Sequence, residues 1–509
     1  MTLEERRYQL QLSLDSDKSQ EQRNMLGQFS TPFSLAKDIV NYVLSIMPGE
    51  NHPKMIEPAC GMGVFFSALR DVTGHDRLDG CLGFEIDPFY YLPAAELWKE
   101  TGVDLRCADF LSQEPFMAFP LLIANPPYSR HHHIPSDQKQ KLQETTFRHT
   151  GIRPSGLSGL YCYFMMLSTR WLQAGGLSCW LVPSEFMDVN YGEAVKQYLL
   201  ENVDLVRIHR FDERDLQFSD ALITSSVVIF RNQTPSGNPI LFTYGSSVCH
   251  PSKVVEKDRK QLGSRQKWTH HFFDNPLRHR SSEPQKKVLG DYFEVKRGIA
   301  TGCNSFFIVN TQTIERYQLP KEYLTAILPP PRVMKDDIVR GDDDNTDTDS
   351  HLYLFSTSDD EETIASKHPS VLEYIKKGEE KRVHETYICS RHTPWYNCEK
   401  RRSAPFVIPY MGRGEKGRKP FRFILNQSDA IATNGYLMMY PKPEYAYLFR
   451  NPNFAVSVWQ HLKTITSKDF ELSGRFYGGG LHKLEPRELL SIPVEGMERL
   501  FGNELIFVA

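Results

Sequence analysis

The chain has 509 residues, 40% hydrophobic and 24% charged, the makeup of a globular protein too long for one typical core, so two or three domains are expected. Sixty Lys and Arg against 63 Asp and Glu leave a net charge of −3, so any nucleic-acid surface must be local. Nine cysteines without a Cys-x-x-Cys pair exclude a zinc ribbon or disulfide framework, and neither a signal peptide nor a membrane-spanning run is evident; a cytoplasmic chain with reduced thiols is expected.

Residues 1–24 are polar and helix-prone, either a docking helix or a solvated tail. From 25 to 245 strand-like and helix-like segments alternate, which predicts an α/β domain built on a doubly wound, mostly parallel sheet. The expected strands are Lys54–Glu57, Leu82–Glu85, Asp104–Cys107, Leu121–Ala124, Leu177–Val182, Leu205–Phe211 and Ile223–Phe230. Leu160–Leu172 has helical spacing with Gly175-Gly176 as its stop. Residues 246–289 read as a basic linker. Residues 290–509 read as a mixed α+β domain, with short strands at Asn304–Val309 and Phe421–Leu425 and a solvated acidic loop at Asp342–Asp349.

Two constellations carry chemistry. In Glu57-Pro58-Ala59-Cys60-Gly61-Met62-Gly63 a strand ends in a carboxylate and a glycine turn opens a helix. The third position of the dinucleotide fingerprint is Phe66, so no pyrophosphate is implied, and Glu57 suits the ammonium of a methionine moiety. Glu85, 22 residues after Gly63, ends the next strand, where it can accept two ribose hydroxyls. Asp109-Phe110 ends a third, offering an acceptor for an adenine amine and a ring to pack on it. Together these strand ends describe a site for S-adenosyl-L-methionine. The second constellation, Asn125-Pro126-Pro127-Tyr128, ends the apolar run Leu121–Ala124. Asn125 and the Pro126 carbonyl are acceptors beside the flat face of Tyr128, a set that suits a planar group bearing NH2, such as a flipped-out base. The tetrapeptide taken alone also fits an ordinary strand-to-loop turn.

The series Gly27-Gln28-Phe29-Ser30-Thr31-Pro32, Glu57–Gly63, Glu85-Ile86-Asp87, Asp109-Phe110 and Asn125–Tyr128 resembles the gamma class of N6-adenine DNA methyltransferases of type II restriction-modification systems. The resemblance covers the whole catalytic half. It implies cofactor contacts from Thr31, Glu57, Ala59, Gly61, Gly63, Glu85, Asp109, Phe110 and Asn125, and catalysis by Asn125, Pro126 and Tyr128. By its position Phe218 matches the second face over the flipped adenine, or else caps the following strand. Ser30 departs from the pattern, standing where members often carry a second aromatic.

Arg297-Gly298-Ile299-Ala300-Thr301-Gly302, Tyr410-Met411-Gly412-Arg413 and Tyr477–Lys483 are similar to stretches of type II recognition domains, which makes Arg297, Arg413 and Lys483 DNA-binding candidates, or else residues that solvate turns. The partners implied are double-stranded DNA and a cognate restriction endonuclease acting on the same site, with no membrane; a monomer is expected. The Thr-Pro motif comes so early that no nuclease domain is expected ahead of it. Glutamine-N5 protein methyltransferases also use Asn-Pro-Pro-Tyr, and a silent DNA-specificity subunit is a third reading. The long region after 290 argues against the former, and the intact motifs argue against the latter.

His131-His132-His133 cannot all converge on one metal from an extended loop, and Cys60, inside the glycine turn, reads as a small apolar residue. No metal site is expected.

Overall fold

The segments that stop at Glu57, Glu85, Cys107 and Ala124 become four neighbouring parallel strands whose carboxyl ends line up. The computed structural model describes residues 1–19, 22–23, 27–47, 53–129, 131–212, 224–272, 287–341, 352–413, 421–466, 470, 475–477 and 481–502. The chain divides into two compact units, Met1–His279 and, for the most part, Arg280–Ala509.

In the first unit, the sheet contains β1 (Met55–Glu57), β2 (Leu82–Glu85), β3 (Asp104–Cys107), β4 (Phe119–Ala124), β5 (Leu172–Pro183), β6 (Asp204–Phe211), β7 (Ser225–Arg231), β8 (Ile240–Gly245) and β9 (Lys253–Lys257). Their order is β3-β2-β1-β4-β5-β7-β6-β8-β9, with β7 antiparallel to both neighbours and β9 antiparallel to β8. The order reverses between β1 and β4, so a crevice opens at their carboxyl ends, where open α/β sheets bind ligands.

Helices cover both faces. Strand residues alternate between them, Leu121 and Ile123 packing on one side and Leu122 and Ala124 on the other. The first side carries α1 (Leu3–Ser16), α2 (Phe33–Ser45), α3 (Val64–Thr73) and α4 (Pro88–Trp98), which add Leu3, Ile39, Phe65 and Trp98 to that core. The second carries α5 (Ser136–Thr150) and α6 (Leu160–Leu167), whose Tyr161–Leu167 segment is wholly buried.

The second unit has a five-stranded sheet, β10-β18-β15-β17-β13, made of β10 (Phe293–Arg297), β13 (Ile338–Val339), β15 (Phe406–Pro409), β17 (Ile424–Asn426) and β18 (Tyr436–Pro441). Val407 and Met438 pack into one core, Phe406, Ile408, Leu437 and Met439 into another on the opposite face. Beside it lie the sheets β11-β14-β12 (Ile308–Asn310, Leu352–Phe355, Leu324–Ile327) and β16-β20-β19 (Met411–Arg413, Leu481–Lys483, Arg475–Tyr477).

Four segments differ from what the sequence suggests. The helical spacing from Leu160 ends at Leu167; a 3-10 turn follows and Leu172 already begins β5. Gly175-Gly176 therefore lies inside a strand, where Gly175 (φ 74°) makes the register against β4 shift between Phe119 and Leu121. The basic stretch 246–289 is no plain linker over its described part: Lys253–Lys257 is the edge strand β9, while Trp268 and Phe272 enter the core. Asn304–Phe307 is a helical turn and only Ile308–Asn310 is strand. Phe421 and Phe423 are buried ahead of a strand that starts at Ile424. The acidic run 342–349 lies outside the described residues.

Candidate active site

Beyond β4 the chain turns at Asn125, whose side-chain amide nitrogen donates to the carbonyl of Phe29 (2.9 Å) and the hydroxyl of Thr31 (3.0 Å). A backbone carbonyl can only accept, so the nitrogen must face Phe29 and the amide orientation is fixed by chemistry. The other amide atom, Oδ1, is buried and accepts no hydrogen bond from any described residue. Tyr128 is pinned at three places: its N–H donates to the Gly27 carbonyl (3.1 Å), its hydroxyl to the Leu181 carbonyl (3.1 Å), and its ring packs 5.5 Å from that of Phe29. Gly27 has φ 70°, and a Cβ there would lie 2.4 Å from the Tyr128 nitrogen, so only glycine lets the two turns meet. Thus the motif around Thr31 and the one at Asn125, joined by nothing in sequence, form one structure.

At the neighbouring strand ends Glu57 is 1% exposed and its Oε2 has no described partner. Burial pushes its carboxyl well above the usual range; the Arg7 charge opposes the shift and Glu85 adds to it. Glu85 accepts from the Gly61 and Asp87 amides, both at 2.9 Å, which orients both oxygens and leaves each a further lone pair; burial raises its carboxyl too. Gly61 (φ 51°) faces open space, whereas a Cβ on Gly63 (φ 77°) would come within 2.7 Å of the Trp98 indole nitrogen. Gly61 therefore leaves room for a ligand and Gly63 for packing. Ala59 is half-buried against the core. Burial pushes the Cys60 thiol up, which keeps it protonated.

Two candidates sit differently. Asp109 accepts from the Leu111 amide at 3.0 Å, capping a turn. Phe110 is 2% exposed, stacked on Phe164 and Trp171, so it belongs to the core. An open apolar side chain at this end of the sheet is Ile86, 63% exposed beside Glu85, which the sequence reading passed over. Phe218 lies outside the described residues.

Of the two readings of residues 1–24, a docking helix or a solvated tail, the contacts of α1 select the first. Asp15 accepts from the Tyr90 hydroxyl (2.9 Å) and from Ser30 (2.8 Å), Lys18 pairs with Asp87 (2.5 Å), and Arg7, 2% exposed, is held by Glu4 with its charge acting on Glu57. So α1 docks beside the strand ends, and Ser30, out of pattern as an aromatic, is its tether. The three histidines form a 3-10 turn, and no group of three His, Cys, Asp or Glu among the described residues is placed to hold a metal. Among the described residues no helix is long and apolar enough to cross a membrane.

In the second unit Arg297 and Lys483 both lie over the ring of Tyr410, at 3.9 and 5.2 Å from its centroid, and Lys483 also pairs with Glu485 (2.8 Å). Arg413, exposed on β16, is paired in register with Leu481 of β20.

Sheet order and strand-end carboxylates define a class I S-adenosylmethionine-dependent methyltransferase fold, here followed by a mixed α+β unit. Residues 265–505 match the family described as type II methyltransferase M.Eco57I, C-terminal domain, and residues 95–217 match the Eco57I restriction-modification methylase family. The type II methyltransferase M.AccI of Acinetobacter calcoaceticus is 26% identical over 95% of this chain and 87% of its own. M.XamI of Xanthomonas campestris pv. amaranthicola is 24% identical over 91% and 84%. Among solved structures, the type IIL restriction-modification enzyme MmeI in complex with DNA shares the fold, with a TM-score of 0.54 at 14% identity over 86% of this chain and 65% of that one. Both family matches and both relatives point to one class: over most of its length the chain is similar to the type II methyltransferases of restriction-modification systems.

Its cofactor is S-adenosyl-L-methionine. The crevice fits that molecule: the buried, unpartnered oxygen of Glu57 calls for a donor such as its ammonium, and Gly61 leaves space beside the oriented Glu85.

Proposed function

We propose that the chain methylates N6 of adenine flipped out of duplex DNA, as the gamma-class enzymes it resembles do, and so protects its site from a partner endonuclease. The observation that carries this reading is the Asn125 amide, whose nitrogen is fully engaged while its buried oxygen stays free. An exocyclic amine conjugates its lone pair into the ring and is a poor nucleophile. Oδ1 of Asn125 and the carbonyl of Pro126 accept its two protons, favouring a tetrahedral nitrogen and stabilising the positive charge that arrives on it. Because Thr31 and Phe29 hold the amide before substrate enters, little reorganisation is needed at the moment of reaction. Tyr128, and Phe218 by its position, supply faces for stacking, worth ~1–3 kcal/mol per base against the unstacking cost.

S-adenosylmethionine supplies an electrophilic methyl group on a sulfonium. Glu57 would hold the ammonium of its methionine part and Glu85 its ribose hydroxyls, with Ala59 and Gly61 giving backbone access. Asp109 and Ile86 would flank the adenine end. No general base is required for the transfer, since the N6 proton is lost from an already cationic nitrogen.

Labelled cofactor incubated with duplex DNA, followed by nucleoside analysis, tests the reading. N6-methyl-2′-deoxyadenosine is expected; methyl groups found on cytosine, on protein glutamine, or nowhere overturn it.

A further inference from the structure

The three cationic candidates of the second unit are not equivalent. Lys483 is neutralised by Glu485, which also accepts from the Tyr410 hydroxyl at 2.8 Å. Arg413 is exposed at the end of a short strand, with no ion pair to a described residue. Arg297, at the end of β10, is exposed yet held. Its guanidinium carbon lies 3.9 Å from the Tyr410 ring centroid, and its Nε donates to the Asn434 carbonyl at 3.1 Å. The backbone under it is stitched to the same turn. Gly298 N–H donates to Tyr436, Ile299 N–H to Ala432 and Asn434 N–H to Ile299, and a Cβ on Gly298 would come within 2.0 Å of the Thr433 oxygen. Tyr410 is 5% exposed, its hydroxyl tied to Glu485 and its N–H to the Gly435 carbonyl. With plane and Nε fixed, Nη1 and Nη2 remain, and neither bonds to a described residue.

A guanidinium fork presented in a set plane matches the two acceptors, O6 and N7, that guanine shows in the major groove. We propose that Arg297 reads one guanine of the methylated site, with Tyr410 and Asn434 as the residues that position it. The inference rests on duplex DNA being the substrate.

Methylation-aware sequencing of host DNA expressing the wild type gives the site. Duplexes carrying 7-deazaguanine, which lacks N7, at each guanine in turn are then titrated with wild-type, Arg297→Ala and Arg297→Lys protein, with cofactor affinity and melting temperature as folding controls. At one guanine the wild type should lose affinity by up to about 150-fold, since one of the two acceptors of a bidentate contact worth ~1–3 kcal/mol is gone. Arg297→Ala, which removes both contacts, should lose at least as much on the ordinary duplex and be indifferent to the replacement. Arg297→Lys, which keeps charge but not the fork, should methylate sites degenerate at that position. Uniform weakening on every duplex with a shallower salt dependence would make Arg297 a phosphate contact and overturn the proposal. So would variants as sensitive to each replacement as the wild type. A wild type that methylates no duplex DNA sinks the substrate reading itself, a result distinct from normal methylation with unaltered discrimination in the variants.

Discussion

Asn125 shows how one side chain can be specified by two distant stretches of sequence. Replacing it with Ala removes the free acceptor and leaves the Phe29 carbonyl and the Thr31 hydroxyl without their donor. Methyl transfer should fall on the order of 10²–10³-fold, by analogy with loss of an oxyanion-hole donor, while cofactor affinity changes little. Single-turnover rates beside equilibrium cofactor titration check this, and near-normal turnover would reassign the residue. Glu57 makes a prediction in pH. Its carboxyl is raised above 4.5 by burial, against the opposing charge of Arg7, so without cofactor the folded state keeps a proton that the unfolded state releases. That contribution to stability is therefore lost as pH rises from the ordinary value through the raised one. An ammonium ligand needs the carboxylate, so binding in this window should release a proton, and affinity should climb with pH. Calorimetry in two buffers of different ionisation enthalpy would detect the proton. In Glu57→Gln the release should vanish and the profile flatten.

At the level of elements, strand ends were the legible part. An apolar run halted by a polar residue specifies both a buried strand and where it opens, which is why Glu57, Glu85 and Asn125 fall at carboxyl ends. Phe110 misleads the reading because an aromatic beside an acidic residue looks the same in sequence whether its ring meets ligand or, as here, Phe164 and Trp171. The glycine pair at 175–176 misleads because a helix stop and a bulge use the same residue. Local sequence left α1 open between docking and solvation, since the anchors that decide it reach across the chain, Asp15 to Tyr90 and Lys18 to Asp87. Asp15→Ala removes the acceptor of two hydrogen bonds, each worth about 1 kcal/mol net, and loosens the helix that brings Arg7 near Glu57. Cofactor affinity should drop by roughly 5- to 30-fold, the equivalent of those two bonds, while DNA affinity without cofactor holds. Equal affinities in variant and wild type would make α1 a bystander.

Over the whole molecule, each of the two units encloses hydrophobic cores of its own: Ile56, Leu122 and Trp180 or Met55, Leu121 and Phe65 in the first, Val407 and Tyr374 or Phe406 and Phe454 in the second. Chains with separate cores commonly depart from all-or-none unfolding, so heating should give two resolvable transitions. A ligand that binds only the folded form stabilises the unit it occupies, by ~2.7 kcal/mol at a hundredfold excess over Kd. S-adenosylmethionine should therefore raise the midpoint of the first unit's transition and leave the other in place, which differential scanning calorimetry would show; a common shift of a single transition would contradict it. Temperature then becomes a map. Any molecule offered to this protein, whether nucleoside, short duplex or inhibitor, announces which half it has entered by the melting step it delays, without a label and before its chemistry is known.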